Sequence, residues 1–172
     1  PVEAEAAVDF TPAPKLEPSG YVPEPRPVRG QVDVGAFYFP GWQNAARWAP
    51  ILDFPMRKPV LGWYDESNPE CADWQIKWAV EHGVTFFMVD WYWSQGSRQL
   101  DHWLHDAYAK SRYKRFLKWA VMWANHNRPG THSLEDWRQV TQYWLDHYLK
   151  TDEYYRIDGR PAVFIWSPQN VR

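Results

Sequence analysis

Four short apolar runs, Val34–Phe39, Thr85–Trp93, Trp119–Asn125 and Ala162–Trp166, decide what this chain can fold into. None alternates cleanly between polar and apolar residues, the pattern expected of strands covered on both faces. The stretches between them read as helices. Asn68 is placed to cap, and Pro69 to open, a helix running to about His82, with Gly83 after its end. Leu100, Trp103, Leu104, Ala107 and Tyr108 fall on one face of a second helix, from about Ser97 to Lys110. Ser133 and Asp136 form a capping-box pattern ahead of Trp137, Val140, Trp144 and Tyr148. Tyr155–Ile157 followed by Asp158-Gly159 reads as a small hairpin feeding the fourth strand. Strand and helix in repetition predict an α/β fold with a parallel sheet, each crossover containing a helical segment.

The length of 172 residues then matters. Four β/α units fit into residues 31–172, whereas a closed eight-unit barrel takes at least about 200 residues. Two architectures remain: a small open sheet complete in itself, or the first four units of a TIM (β/α)8 barrel. The strand ends WYW, WANHN and WSPQN favour the barrel. They gather polar and aromatic groups at the carboxyl ends of successive strands, where barrel active sites are built. Residues 1–30 differ in kind, holding seven of the fifteen prolines and no Trp. Pro alternating with charged and small residues favours a solvated, extended backbone, so this segment reads as a linker or tail. Such a start suits a secreted or cell-envelope protein downstream of a removed signal, favoured over a cytoplasmic one.

Composition excludes several function classes. Lys and Arg number 19 against 21 Asp and Glu, so no basic surplus points to nucleic acid. No apolar run approaches the roughly 20 residues of a membrane-spanning helix. Cys71 is the only cysteine, which excludes an intrachain disulfide and argues against a thiolate metal site. It sits in a helical first turn, where the dipole lowers a thiol pKa, yet has no neighbouring His to act as base. His102-x-x-His105 has a metal-like spacing but brings no third ligand, and reads as a solvated helix flank. No cofactor fingerprint is present. The unusual number is 13 Trp, beside 10 Tyr and 8 Phe. That load implies aromatic packing under a groove, or a surface that stacks flat ligands.

Asp90 is the strongest chemical candidate, because a carboxylate ending a buried strand needs a partner or a polar ligand. Trp91, Tyr92 and Trp93 follow it as a stacking wall. Trp123, Asn125, His126 and Asn127 close the third strand with two amides around an imidazole, a set suited to a polyhydroxylated ligand. The alternative, less favoured, is that Asn125 and Asn127 form turns bonded to backbone. Tyr38 and Trp42 end the first strand, and Trp63, Tyr64 and Asp65 lie in the long Pro40–Pro69 connection. Aromatic faces stack on sugar rings while phenols and carboxylates bind hydroxyls. Asp90 and His126 are the two candidates for proton transfer.

The segments VGAFYFPGW, KPVLGWYDESNPECADWQIKWAVEHGVTFFMVDWYW, LKWAVMWANHN and YYRIDGRPAVFIW resemble the glycoside hydrolase family 99-like domains. That group includes the endo-α-mannosidases and the WbsX-type proteins of bacterial polysaccharide loci. The resemblance covers about residues 31–172. It implies a (β/α)8 barrel acting on, or binding, glycans, with no metal or cofactor. It also implies retaining cleavage by two carboxylates in the later half of the barrel, which are expected beyond Arg172. WbsX-type members carry a glycosyltransferase label, so transfer is an alternative to hydrolysis. A non-catalytic carbohydrate-binding domain and a structural α/β domain are the other readings. A half-barrel leaves strand edges unpaired, so self-association is expected.

Overall fold

The computed structural model describes residues 20–94, 96–126 and 133–171. Strand β1 (Gly35–Tyr38) leads into a long connection holding one helical turn, α1 (Ala45–Trp48), and then helix α2 (Pro69–Glu81). Strand β2 (Phe86–Ser94) follows, with a short antiparallel return, β3 (Ser97–Gln99). Beyond these come β4 (Lys118–Trp123), α3 (Leu134–His147), the ribbon of β5 (Arg156–Ile157) and β6 (Arg160–Pro161), and β7 (Phe164–Ile165). The parallel sheet runs β1–β2–β4–β7. Sheet neighbours follow one another along the chain, so the winding never reverses. That is the order of a barrel wall and not of a doubly wound sheet with a switch point.

Alternation along β2 sorts the molecule into two sides. Phe87, Val89, Trp91 and Trp93 are buried among Ala72, Ile76 and Val80 of α2 and Val140 and Trp144 of α3. Phe86, Met88, Asp90 and Tyr92 occupy the other face. The expectation of strands covered on both faces therefore holds for β4, where Trp119–Trp123 are all buried, but fails along β1 and toward the end of β2. At β1 the opposite face is open, with Phe37 65% and Phe39 50% exposed.

Two helices form where their local signals placed them. The Asn68 side chain accepts from the Glu70 amide at 2.9 Å, and Ser133 with Asp136 completes the capping box of α3. The helix expected over Ser97–Lys110 does not form as one unit. Gly96 (φ 77°) turns the chain back so that Ser97–Gln99 pairs with Tyr92–Ser94, and Leu100 (φ 54°) ends that return. A π-helical turn, Trp103–Ala107, and a 3-10 turn, Tyr108–Lys110, then seat Trp103, Leu104, Ala107 and Tyr108 in the core. The apolar face was legible; its backbone geometry was not.

The predicted hairpin interrupts the fourth parallel strand. Asp158 (φ 50°) and Gly159 (φ 76°) supply its turn. Below it, the Tyr155 amide donates to the Trp119 carbonyl at 2.8 Å; above it, the Trp166 amide donates to the Trp123 carbonyl at 3.0 Å. Tyr154 fills the gap, accepting from the Val121 amide at 3.2 Å and donating to the Ala162 carbonyl at 2.7 Å. One phenol thus replaces the ladder that the ribbon removes.

The segment expected to be a free linker is docked where it is described. Val22 is buried, the Tyr21 hydroxyl donates to Asp73 at 2.6 Å, and the Val28 amide donates to the Val80 carbonyl at 2.9 Å. Residues 1–19 lie outside the described part. No helix among the described residues is long and apolar enough to cross a membrane.

Candidate functional site

The open face of the sheet ends in a rim of rings around one acid. Phe39 meets Tyr92 edge to face with centroids 6.4 Å apart, Tyr92 meets His126 at 5.6 Å, His126 meets Trp166 at 6.5 Å, and Trp166 meets Phe37 at 6.3 Å. Asp90 lies two residues before Tyr92 on the same strand face. Its Oδ1 is buried and has no hydrogen-bond partner among the described residues. Burial pushes the carboxyl up to about 6, against a smaller pull downward from His126. Burial, followed by the Asp90 charge, likewise raises the Tyr92 phenol. A half-buried acceptor beside exposed rings can bind hydroxyl donors or carry a proton.

A second aromatic group fills the connection after β1. Trp42 stacks on the buried Trp48 at 4.1 Å, with Trp63 at 5.2 Å and Tyr64 at 5.0 Å from the same indole. Trp48 Nε1 donates to the Tyr64 carbonyl at 2.8 Å. Asp65 is exposed and accepts from the Ser67 amide at 2.7 Å, shaping a turn. Beneath this group lies Glu66, only 1% exposed. It accepts from the Trp42 amide at 2.7 Å and the Tyr38 hydroxyl at 3.0 Å, with His102 Nε2 3.6 Å away.

The structure divides the residues expected to bind sugar. Asp90, Tyr92 and His126 come together at the rim. Trp91, Trp93 and Trp123 do not: all three are buried in the core between sheet and helices, on the face away from Asp90. Tyr38 also points to that side, between Phe87 and Trp103. Burial, with Glu66 as the next cause, holds its phenol well above its ordinary value. Asn125 is fully buried, its amide spent on the Ser167 backbone at 2.7 and 2.8 Å. Asn125 is thus bonded to backbone, as the alternative had it, but to a segment 42 residues away and not within its own turn, and it holds the stretch that carries Trp166. Asn127 lies outside the described residues. His102 is buried beside Glu66 and is not a solvated flank, while His105 is exposed. Cys71 is buried, and burial pushes its thiol up to about 12, reversing the dipole expectation. No group of three or more metal-type side chains occurs among the described residues.

Phe37, Phe39, Trp166 and Glu66 were not singled out individually by the sequence. A strict odd–even reading of the strands would have separated Asp90 and Tyr92 from Trp91 and Trp93, and Phe37 and Phe39 from Tyr38. Nothing local marks Glu66, whose partners lie 24, 28 and 36 residues away.

Two curated relatives, both called uncharacterized protein WxcX and from two strains of Xanthomonas campestris pv. campestris, are 24% identical over 144 residues. That stretch is 76% of this chain, and the chain spans about a fifth (21%) of their length. Among solved structures, the family 99 endo-α-mannosidase of Bacteroides thetaiotaomicron, with bis-tris propane bound, superposes with a TM-score of 0.52 at 22% identity. A second structure of that enzyme gives the same score at 20% identity. The match covers 81% of this chain and 43% to 46% of theirs, and at this identity it shows the fold alone. Residues 38–172 match the family described as Glycosyltransferase WbsX, from the last residue of β1 onward. The chain therefore belongs to the WbsX family and has its family 99-like α/β fold.

Proposed function

We propose that the chain forms the sugar-binding wall of a glycan-active barrel enzyme, built from the barrel's first four β/α units. Sequential parallel strands support the barrel, as does the fraction of the solved endo-α-mannosidase that the chain covers. The proposed reaction of the whole protein is retaining hydrolysis of an α-mannosidic oligosaccharide. Such chemistry ordinarily needs two carboxyl groups about 5–5.5 Å apart across the scissile bond. Asp90 would accept hydroxyl protons, His126 would orient or exchange them, and Tyr92, Phe39, Phe37 and Trp166 would stack against the rings. The family's name, Glycosyltransferase WbsX, favours a second reading, glycosyl transfer onto a growing polysaccharide at the same wall.

The observation that carries the proposal is the Asp90 Oδ1, unpartnered among the described residues, inside an exposed aromatic rim. Titrating α-mannan oligosaccharide into the chain, with tryptophan fluorescence as the readout, tests it. Asp90→Asn is expected to weaken binding about tenfold, the worth of one hydrogen bond to a charged group. A saturable signal that Asp90→Asn leaves unchanged removes Asp90 from the site. Absence of any signal contradicts the glycan reading.

A further inference from the structure

Glu66 is a carboxylate sealed from water, and such a group costs several kcal/mol unless it is hydrogen-bonded. Its bonds are directed at one place. Oε2 accepts from the Trp42 amide at 2.7 Å, and the Glu66 amide donates to the Trp42 carbonyl at 2.9 Å. Both main-chain groups of Trp42 are thus clasped by one residue from the far end of the connection. Oε1 accepts from the Tyr38 hydroxyl at 3.0 Å, which ties the same carboxylate to the last residue of β1. Tyr38 and Trp42 bracket a tight turn in which the Gly41 amide donates to the Phe39 carbonyl at 3.0 Å. A Cβ on Gly41 would stand 2.1 Å from the Phe39 ring, so that ring lies directly on the glycine. Phe39 is half-exposed and faces Tyr92 at the rim.

We propose that Glu66 is the positioning residue of the binding wall: its carboxylate locks the turn from Tyr38 to Trp42 and so sets the Phe39 ring beside Tyr92 and Asp90. An apolar side chain could fill the same space, but only an acid offers two directed acceptors, one for an amide and one for a phenol. The proposal rests on the reading of the rim as a glycan site for its effect on affinity, and on geometry alone for its effect on Phe39.

The test uses the whole chain and two readouts, the nuclear Overhauser contact between the Phe39 and Tyr92 rings and the affinity for α-mannan oligosaccharide. Glu66→Gln is the conservative variant. Its oxygen still accepts from Trp42, and its amide donates to the Tyr38 hydroxyl, whose proton turns from residue 66 to Gln75 Oε1, 3.0 Å away. Glu66→Ala removes both anchors. Glu66→Ala is expected to lose the Phe39–Tyr92 contact and about tenfold in affinity, while Glu66→Gln stays within about threefold of wild type. The core contact between Phe87 and Trp103 reports whether the chain is still folded. If Glu66→Ala loses that as well, Glu66→Asp replaces it, keeping the charge but falling short of one anchor, with the same loss of ring contact expected. Gly41→Ala pushes the Phe39 ring directly and is expected to lower affinity with the Glu66 bonds intact. A folded Glu66→Ala or Glu66→Asp chain that keeps the Phe39–Tyr92 contact overturns the proposal. So does a Gly41→Ala chain that displaces the ring without weakening binding. A wild-type chain that shows the ring contact but takes no oligosaccharide refutes the glycan reading, and the ring contact in the Glu66 variants still decides what Glu66 does.

Discussion

Adjacent residues on β2 do opposite work. Trp91 is 1% exposed, donates to the Tyr148 hydroxyl at 3.2 Å, and packs against Trp144; Tyr92 sits half-buried on the open rim. Trp91→Ala is expected to cost about 3–5 kcal/mol in chemical denaturation, the range for deleting a core aromatic. Tyr92→Ala is expected to cost far less and to weaken oligosaccharide binding. Equal losses of stability would contradict the two-sided sheet. Asp90 adds a pH signature. Burial raises its pKa to about 6 in the folded chain, above the about 3.9 of an unfolded aspartate, so ionisation is harder in the fold. Its contribution to stability is therefore fully present below about pH 4, falls as pH rises toward 6, and is level above that. His126 and Tyr92 are the titratable groups beside it. Melting wild type and Asp90→Asn from pH 4 to 7 should show the wild type losing ground to the variant across that window. A constant difference would place Asp90 in water.

Elements were legible where their signals are local. Asn68 and Ser133 mark the starts of α2 and α3 because a cap needs only the next two or three amides. Asp158-Gly159 marks the ribbon because both residues tolerate positive φ. Ser97–Gln99 was hidden because its pairing with Tyr92–Ser94 is tertiary, and apolar spacing does not distinguish an α-helix from the π and 3-10 turns observed. The same limit concealed Tyr154, whose hydroxyl spans the break that the ribbon makes in the fourth strand. Tyr154→Phe leaves a buried amide and a half-buried carbonyl without that partner. It should lower stability by about 1–3 kcal/mol, read as a shift in denaturation midpoint. An unchanged midpoint would mean that the interrupted ladder is sustained some other way.

At the scale of the whole molecule, four parallel strands in sequence order put the helices of the core on one side and leave the other side open along β1 and the end of β2. The order was readable from the alternation of apolar runs and caps. Which strand face was open was not, because short aromatic runs look alike whether one face or both are covered. Among the described residues, β1 and β7 have no strand on their outer edges, and such edges recruit other chains. Sedimentation at increasing concentration is expected to show self-association. A monomer at every concentration would mean those edges are shielded.

The central claim is that Asp90 and the rings beside it form a saccharide cradle on the open face. Indole N–H resonances test it most directly, because Trp166 is 56% exposed at the rim while Trp91, Trp103 and Trp123 are sealed in the core. On adding α-mannan oligosaccharide, the Trp166 signal should move saturably while those three hold still. Movement confined to Trp42, Trp48 and Trp63, or no movement at all, would contradict the account.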